Sequence, residues 1–392
     1  MAYLVRRRDT FVMRLLLLPT VIFLTVHSAH NFYWPQPWLQ AYNWAQSLVS
    51  AQLIAKALDF ALTPIGRLKV GETKLPRIGG EDTHTPSSPT AKHRAANPSF
   101  LPPAVNDAFE VLFAFRGLGW DFGQGAHVPK EDRPLERGAF LKATRRVFFK
   151  YFLLFDLLDS CMKLIPEVGS PFGGTIFFPL PPIQRYVVST TIHLMTGIMV
   201  LTGFEVVYAL MTLVGVGLLR QSPLLWPPFF DRPFSSDSLT VFWAKRWHQS
   251  LRRMFIIFGG YPGYWLGSWI SQEAAKVAML FGVFIASGLF HELTTYTTGK
   301  GFDKNTTLFF VWQGVAVLVE RIWYKVTGRK VQGWTGLIWV YFCIMVLGQP
   351  CVNAWHHRGL GGSVIVPTLV SPTRNFLWPI LRRVHPVFEF LP

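Results

Sequence analysis

Residues 275–298, AKVAMLFGVFIASGLFHELTTYTT, form an apolar run of 24 residues. Its charged side chains and its histidine are Lys276 near one end and His291 and Glu292 nearer the other. At ~1.5 Å per residue, a helix of this length crosses the ~30 Å hydrocarbon core of a bilayer. The run therefore predicts a membrane-spanning helix with a histidine inside it.

Six further apolar runs accompany this helix, and polar connectors separate them. Spanning segments must satisfy their backbone hydrogen bonds internally, which favours helices. The pattern predicts an all-α polytopic membrane protein with about seven transmembrane helices, plus interfacial helices, around a central tunnel. The six runs are residues 11–29, 39–62, 147–165, 186–219, 308–324 and 334–352.

Two of these runs leave alternatives open. Residues 39–62 contain Lys56 and Asp59, so this run is either a second span or a helix lying in the membrane interface. Residues 186–219 would extend over ~51 Å as a helix, which predicts one long tilted helix or two pieces broken near Thr202-Gly203. The tail, residues 377–391, carries two arginines among apolar residues, and we expect it to be interfacial.

The composition supports a membrane protein. The chain has 392 residues, 50% of them hydrophobic and 15% charged, whereas soluble domains carry about 25% charged residues. The formal net charge of +16, in so apolar a chain, indicates membrane topology rather than nucleic-acid binding. Three cysteines exclude a disulfide framework and a four-cysteine zinc site.

The positive charges predict an orientation. Arg6, Arg7 and Arg8 precede the first span, and residues 66–146, 220–274 and 325–333 carry most of the other basic residues. The loops 166–185 and 299–307 carry only Arg185, Lys300 and Lys304. The positive-inside rule then places the N-terminus in the cytosol, and we expect a multi-pass protein of the endoplasmic reticulum.

Three regions follow from this organisation. Residues 1–65 hold an uncleaved signal-anchor helix and the second apolar segment. Residues 66–146 are rich in Pro, Gly, Ser and charges, including Gly79-Gly80-Glu81-Asp82, which predicts a long, mostly cytosolic polar loop. Residues 147–392 contain the remaining spans and the core of the protein.

Motifs of several enzyme classes are missing from the sequence. It contains no P-loop, no dinucleotide-binding glycine fingerprint and no Gly-x-Ser-x-Gly elbow. His291-Glu292 is followed by Thr295 where the helical zinc-protease motif needs a second histidine. We therefore expect no metal site and no permanently bound cofactor.

His291 is the strongest candidate catalytic residue. An ionisable side chain inside a span is costly, faces a bundle interior or a water-filled cavity, and is a functional-site hypothesis by default. Ser287 and Thr295 share its face at helical spacing, so we expect a hydroxyl to fix the imidazole tautomer. A neutral imidazole held in this way can act as a general base. The alternative is a structural histidine bonded to a neighbouring helix.

Residues 242–253, FWAKRWHQSLRR, form a second candidate region, the basic–aromatic segment. As a helix it would stack Trp243 and Trp247 on one stripe and His248 and Arg252 on the next. Arg246 and Arg252, with Lys245 and Arg253, can grip phosphates, and His248 can assist at a reacting carbonyl. The alternative is an amphipathic surface helix that binds anionic headgroups.

The remaining candidates carry weaker signals. Arg116-Gly117-Leu118-Gly119-Trp120 predicts a tight turn with its ring pinned at a surface. For Glu205 and Glu320 we expect helix-to-helix ion pairs, and for His193 a structural role. His356-His357-Arg358 is expected at the interface rather than in a metal site, because no carboxylate or cysteine completes a ligand set.

The two main motifs together resemble a known family. The sequence Phe242-Trp243-Ala244-Lys245-Arg246-Trp247-His248, followed 43 residues later by His291, resembles the wax-synthase-like branch of the membrane-bound O-acyltransferases. The stretch Arg116–Trp120 is similar to an element of its fungal secondary-metabolite acetyltransferases. His248 stands where the wider superfamily often has Asn.

The resemblance implies transfer of an acyl group, acetyl by preference, from acyl-CoA to a hydroxyl of a hydrophobic terpenoid or meroterpenoid. His291 would then be the base and His248 the carbonyl donor, with Trp247 lining the pocket. Arg246 or Arg252 would hold the coenzyme A phosphates. The alternatives are a long-chain wax or sterol ester synthase and, from another class, a transporter or non-catalytic membrane receptor.

Overall fold

The computed structural model describes residues 1–78, 101–299 and 301–384, together with Val387 and Leu391. The described part contains helices and no β-strand, apart from an isolated bridge between Lys69 and Trp120, as the sequence predicts. The main helices are α1 (Phe11–Asn31), α2 (Gln40–Leu62), α3 (Pro103–Phe113), α4 (Arg137–Met162), α5 (Pro182–Thr212), α6 (Tyr261–Ser268), α7 (Gln272–Tyr296), α8 (Asn305–Thr327), α9 (Gly333–Tyr341), α10 (Gln349–His357) and α11 (Trp378–Val384).

Short helical pieces connect these helices. Single α-turns are formed by Ala2–Val5, Leu239–Val241 and Arg252–Phe255. Widened π-helical turns are formed by Leu213–Leu218, Phe242–Arg246, Ile256–Gly260, Phe342–Val346 and Thr373–Leu377. Such turns are rare and occur at functional sites and kinks, and the basic–aromatic segment contains one of them.

Each of the seven predicted spans falls on helix. Four helices of the described part are long and apolar enough to cross a membrane: α1, Pro182–Leu218, α7 and Gly333–His357. Helices α2, α4 and α8 are as long but more polar in sequence. The structure is therefore that of an all-α membrane protein, and the number of seven crossings stays a prediction.

The long fifth helix is continuous through Thr202-Gly203, so of the two predicted alternatives the single helix is the one observed. The Thr202 hydroxyl donates to the carbonyl of Ile198 at 2.8 Å, inside the regular helix. Gly203 lies against the ring of Phe155, where an added Cβ would approach to 3.2 Å. This glycine therefore serves close packing of α4 and α5 and does not interrupt the helix.

Local sequence explains where the central helices begin and end. The Ser271 hydroxyl accepts from the amide of Ala274 at 3.0 Å and caps α7. Helix α8 ends at Gly328, which adopts a left-handed conformation with φ 68°. Pro350 lacks an amide hydrogen, and the helical run Gly333–His357 is interrupted just before it.

A stripe of small residues packs α6 and the preceding π-turn tightly against α7. A Cβ added at Gly259 would lie 2.0 Å from the carbonyl oxygen of Gly282, and one at Gly263 would lie 2.3 Å from that of Ala278. In membranes, small residues at such spacing let helix backbones approach closely. The pairing is antiparallel, so it carries Arg252 and Phe255 towards the turn of α7 that holds His291.

Part of the predicted exposed loop is packed structure. Helix α3 and the turn that follows it cover the N-terminus, and Val111 and Trp120 are buried there beside Val5 and Phe60. The expected surface position of Trp120 is therefore wrong, because its ring is only 3% exposed. The stretches Gly79-Gly80-Glu81-Asp82 and 86–89 lie outside the described residues.

The N-terminal arginines, which in the sequence predict only an orientation, take part in packing. Arg6 is fully buried and pairs with Glu72 at 2.7 Å and with Asp107 at 2.5 Å, and its guanidinium lies over Trp120. Burial alone would raise the pKa of the Asp107 carboxyl, but the adjacent Lys69 and Arg6 outweigh it and hold this pKa well below its usual range. The N-terminal charges are thus part of a folded ionic cluster.

The loops predicted to lie on the outer side gather at one end of the bundle. The amide of Gly174 donates to the carbonyl of His356 at 3.3 Å, and Arg358 donates to the carbonyl of Gly301 at 2.8 Å. The connection between α1 and α2 joins this end, since the amide of Val364 donates to the carbonyl of Trp38. Which side of the membrane this common end faces stays a prediction.

Candidate active site

A cavity of about 1210 Å³ lies inside the helical bundle. Its walls are mostly apolar and aromatic side chains from α2, α5, α7, α8 and the basic–aromatic segment. Both His248 and His291 line it, although 43 residues separate them in sequence. The fold thus brings the two predicted histidines to one largely apolar cavity.

The tautomer of His291 is set by its own helix. Nδ1 lies 2.7 Å from the carbonyl oxygen of Ser287, and because a carbonyl only accepts, Nδ1 carries the hydrogen. The neutral ring then has its lone pair on Nε2, which makes no hydrogen bond in the described part of the chain. A hydroxyl was expected in this role, but the Thr295 hydroxyl bonds instead to the carbonyl of Glu292 at 2.9 Å.

Aromatic rings hold the imidazole of His291 in place. Phe310 of α8 stacks on it with ring centroids 4.6 Å apart and planes inclined by 26°. Phe290 meets it edge-on at 5.3 Å, and Phe255 approaches to 6.4 Å. These contacts restrict the ring to one orientation, which a positioned general base requires.

The basic–aromatic segment is not one continuous helix, so this part of the prediction is wrong. It begins with a π-helical turn, Phe242–Arg246, and the chain becomes extended at Trp247, whose ψ is 154°. The side-chain amide of Gln249 donates to the freed carbonyls of Trp243 at 3.1 Å and Trp247 at 2.8 Å. These two bonds satisfy carbonyls that a helix would have paired.

The break in the segment places His248 among aromatic rings. Phe229 stacks on the imidazole at 5.3 Å, and Phe204 and Trp247 contact it at 5.3 and 5.5 Å. Nδ1 of His248 lies 2.9 Å from the hydroxyl of Ser250. A donating hydroxyl leaves the hydrogen on Nε2, the form that can donate to a substrate oxygen.

The two predicted phosphate-binding arginines lie in different environments. Arg246 donates to the carbonyl of Asp231 at 3.2 Å and lies 3.8 Å from its carboxylate, and it is not among the cavity-lining residues. Arg252 lines the cavity, and its side chain has no hydrogen-bond or ion-pair partner among the described residues. The antiparallel packing of α6 and the preceding π-turn on α7 carries it towards the turn of α7 that holds His291.

Two cations that the prediction did not place in the site also line the cavity, Lys276 on α7 and Arg321 on α8. The helices run antiparallel, and Glu273 at the start of α7 interacts electrostatically with Lys325 near the end of α8. Both cations therefore belong to the same end of the cavity. Lys276 precedes His291 by 15 residues, which is about 22 Å along the helix.

The turn after α3 closes one wall of the cavity. Gly117 and Gly119 adopt positive φ angles of 70° and 78°, which confirms the predicted tight turn. Arg116 lines the cavity and donates to the Tyr208 hydroxyl at 2.6 Å and to the carbonyl of Pro228 at 2.8 Å. Arg116 thus ties this turn to α5 and to the loop that precedes the basic–aromatic segment.

The expected ion pairs of the buried glutamates are not formed. Glu205 accepts a hydrogen bond from the backbone of Phe230, and Glu320 accepts from Ser238, Leu239 and Thr240. Neither carboxylate lies within 4 Å of a basic side chain in the described part of the chain. Both bind backbone of the region before the basic–aromatic segment, so they organise the site.

The remaining histidines differ partly from expectation. His193, expected to be structural, lines the cavity. His356 and Arg358 are each only 3% exposed, which contradicts an interfacial position. His356 lies 2.8 Å from the Thr196 hydroxyl, and Arg358 pairs with Asp303 at 3.3 Å. Among the described residues, no group of three His, Cys, Asp or Glu side chains is placed to hold a metal ion.

A membrane helical bundle that brings two histidines to one apolar cavity has the features of an integral-membrane enzyme for apolar substrates. Comparison with known proteins supports the resemblance to the membrane-bound O-acyltransferases. Residues 226–312 match the Membrane bound O-acyl transferase family, and the matched segment contains both His248 and His291.

Similar proteins point in the same direction. "Acetyltransferase spyB" of Aspergillus fumigatus is 25% identical over 194 residues, 48% of this chain and 32% of that protein. "Acetyltransferase ple2" of Rhodocybe pseudopiperita is 22% identical over 269 residues, 67% of this chain and 63% of that protein. "Probable long-chain-alcohol O-fatty-acyltransferase 1" of Arabidopsis thaliana is 28% identical over 153 residues, 37% of this chain and 45% of that protein.

These matches confirm the resemblance to the membrane-bound O-acyltransferases. The matched parts span less than two thirds of each of these three relatives.

Proposed function

We propose that the chain transfers an acyl group, most readily acetyl, from acyl-CoA to a hydroxyl of a hydrophobic acceptor. The observation that carries the proposal is the geometry of His291, whose Nδ1–H is held by the Ser287 carbonyl at 2.7 Å. Its basic Nε2 is thereby left for a substrate in a cavity that His248 also lines. A thioester is already activated, so a base, a carbonyl donor and alignment are sufficient.

In this mechanism Nε2 of His291 takes the proton of the acceptor hydroxyl as its oxygen attacks the thioester carbonyl carbon. The C–S bond then breaks, and the departing sulfur of coenzyme A recovers a proton from the imidazolium. General-base action of this kind contributes about 100- to 10,000-fold. Alignment of the two substrates contributes about 7–11 kcal/mol of the barrier reduction.

His248 polarises the thioester carbonyl. With the Ser250 hydroxyl donating to Nδ1 across 2.9 Å, the hydrogen on Nε2 is directed to the carbonyl oxygen, where negative charge develops. Donors that meet this charge in a water-poor site lower the barrier strongly. The Trp247 ring, 5.5 Å from the imidazole, lines the acyl pocket.

The phosphates of acyl-CoA bind cations at the end of the cavity where Lys276 and Arg321 lie. The distance of about 22 Å along α7 between Lys276 and His291 is suited to the extended pantetheine arm, which separates the phosphates from the reacting carbonyl. Arg252, nearer to His291, binds the inner part of the donor. Arg246 contributes indirectly, through its contact with Asp231.

The acceptor enters from the bilayer between α2 and α5. Apolar residues of both helices line the cavity and keep accessible surface, including Leu53, 40% exposed, and Val207, 54% exposed. An apolar opening of this kind suits a polycyclic alcohol dissolved in the membrane. We accordingly propose a terpenoid or meroterpenoid acceptor in secondary metabolism, at the endoplasmic reticulum, with the N-terminus in the cytosol.

The proposal is tested by release of free coenzyme A thiol in microsomes that contain the protein. Acetyl-CoA and a panel of terpenoid alcohols should give alcohol-dependent release that is lost in His291→Ala at equal protein level. No release with any donor or alcohol would reject the enzyme and favour a transporter or receptor.

A second candidate is a long-chain ester synthase, because the cavity of about 1210 Å³ exceeds what an acetyl group needs. Parallel assays with acetyl-CoA and palmitoyl-CoA on the same alcohols separate the two. Preference for palmitoyl-CoA would replace the acetyl proposal and leave the assignments of His291 and His248 unchanged.

A further inference from the structure

Glu320 lies inside the protein without a cationic partner among the described residues. It belongs to α8, and its side chain is 6% exposed. Its carboxylate instead accepts from three consecutive residues: the amide of Leu239 at 2.6 Å, the amide and hydroxyl of Thr240 at 2.9 and 2.7 Å, and the hydroxyl of Ser238 at 2.9 Å. These donors hold one carboxylate in a fixed position.

The three residues immediately precede the basic–aromatic segment. Leu239–Val241 is a single helical turn, and the π-helical turn Phe242–Arg246 continues from it. The amides at the start of such a turn have no partner within it. The Glu320 carboxylate supplies that partner and sets the point from which the chain runs towards Trp247 and His248.

The same helix also contacts His291. Phe310 of α8 stacks on the His291 imidazole at 4.6 Å. Gln313, one turn further along, accepts from the Trp243 indole at 3.3 Å and donates to the carbonyl of Cys343 at 3.0 Å. Phe310, Gln313 and Glu320 therefore join His291 and the basic–aromatic segment to one helix.

Resting on the acyltransferase function proposed above, we propose that Glu320 is a positioning residue. It holds the basic–aromatic segment in register with His291 through the residues 238–240. It acts on the carbonyl donor His248 through the backbone and does not touch the substrates. Breaking this contact displaces His248 from the cavity position it needs, while the acceptor base keeps its place.

The chemistry of the contact requires a carboxylate. Each oxygen of Glu320 accepts, and the two oxygens meet backbone amides of neighbouring residues. In Glu320→Gln, the NH2 group of the new side chain would face one of these backbone N–H groups. Two hydrogen-bond donors would then face each other, so that hydrogen bond is lost and replaced by repulsion. Glu320→Ala removes all the bonds and leaves the amides unpaired, which costs more.

The first test measures kinetics. Glu320→Gln should lower kcat by about 10- to 100-fold, because small displacements of reacting groups have effects of this size, with the KM for acyl-CoA within twofold. Asp156→Asn is the matched control: Asp156 is fully buried and accepts from the backbone amide of Thr373 at 2.8 Å, away from the cavity-lining residues. It should keep the kcat of the wild type.

A double-mutant cycle separates positioning from general stability. If Glu320 acts through His248, Glu320→Gln in a His248→Ala background should lower kcat no further than His248→Ala alone. Equal fold-losses in the two backgrounds would overturn the proposal, as would a fall in melting temperature that accounts for the lost activity.

Amide hydrogen exchange tests the contact without any assay of activity. In Glu320→Gln, peptides covering residues 238–247 should exchange at least tenfold faster, whereas peptides covering 284–291 should be unchanged, and Asp156→Asn should alter neither. Unchanged exchange at 238–247 would overturn the positioning role even if catalysis is observed. Absence of thiol release by the wild type would reject the proposed function and leave this result standing.

Discussion

The two histidines of the cavity belong to regions with contrasting architecture. His291 lies in the uninterrupted helix α7, and the helix itself supplies the hydrogen-bond partner of its ring, the Ser287 carbonyl. His248 follows a π-helical turn and an extended residue, and its surroundings come from α5, the loop before the segment and Ser250. One residue is positioned by local structure and the other by tertiary contacts.

This difference predicts how strongly the positions of His291 and His248 depend on residues elsewhere in the chain. A regular helix keeps the geometry of residues one turn apart, so the hydrogen bond that fixes the His291 tautomer lies within α7, and only the ring contacts with Phe255 and Phe310 come from outside it. The basic–aromatic segment has irregular backbone, which Gln249 and Glu320 satisfy with their side chains. The position of the basic–aromatic segment is therefore sensitive to its packing against α7 and α8. We expect substitutions in the two regions to differ in the size of their effect on activity.

The largest effect is expected at His291. His291→Ala removes the proposed base and should lower kcat by about 100- to 10,000-fold, with expression and melting temperature close to the wild type. The measurement is thiol release in microsomes at saturating donor and acceptor. His27→Ala, which changes an exposed part of α1, is the matched control and should keep full activity. Activity in His291→Ala within threefold of the wild type would rule out this residue as the base.

A smaller loss is expected at His248. His248→Ala removes the carbonyl donor and should lower kcat by about 100-fold. His248→Asn keeps a side-chain N–H donor and should recover part of that activity, measured in the same thiol-release assay. Equal activity of the Ala and Asn variants would show that the ring contributes packing and not a hydrogen bond.

The contrast between the two regions also explains what the sequence could predict. The helices carrying the predicted spans are specified by local apolar runs, and α7 begins and ends within three residues of the predicted bounds. His291 was found because a titratable group in such a run is unusual. The shared cavity and the break at Trp247 follow from residues on other helices, Gln313 and Glu320 among them, and no local pattern contains them.

The N-terminal ionic cluster was missed for a similar reason. Arg6 and Asp107 are 101 residues apart in sequence. Considered one at a time, such charges predict how the chain is oriented in the membrane, and they do not predict that these two residues form an ion pair. Lys276 and Arg321 were visible as charges close to span ends, but only the antiparallel pairing of α7 and α8 brings both to one end of the cavity. Long-range pairing of this kind is not encoded in spacing or composition.

A third prediction disturbs the packing that carries the basic–aromatic segment to α7. An added Cβ at Gly259 would lie 2.0 Å from the Gly282 carbonyl oxygen, so Gly259→Leu forces the two backbones apart and should cost about 1–3 kcal/mol of stability. We expect about tenfold lower activity and a lower melting temperature. Gly299→Leu cannot serve as the control, because Gly299 has a φ of 86°, and a side chain in that backbone conformation would itself be destabilising. Gly217→Ala is the control and should leave both quantities unchanged, because an added Cβ at Gly217 would contact only Leu141 at 3.7 Å and Gly217 does not line the cavity.

The smallest effect is expected at the end of the cavity farthest from His291. Arg321 is exposed and forms no ion pair among the described residues, so Arg321→Ala should raise the KM for acyl-CoA by about fivefold, corresponding to about 1 kcal/mol for an exposed charge pair. The kcat should stay within twofold, because Arg321 lies about 16 Å along α8 from Phe310, the residue of that helix that contacts His291. The increase in KM should shrink at high salt, since screening weakens phosphate contacts of the wild type as well.

Arg383→Ala, which removes a charge from α11, is the control and should leave KM unchanged. A loss confined to kcat would mean that Arg321 belongs with the histidines and not with donor binding, and the phosphates would then have to be sought at Arg252.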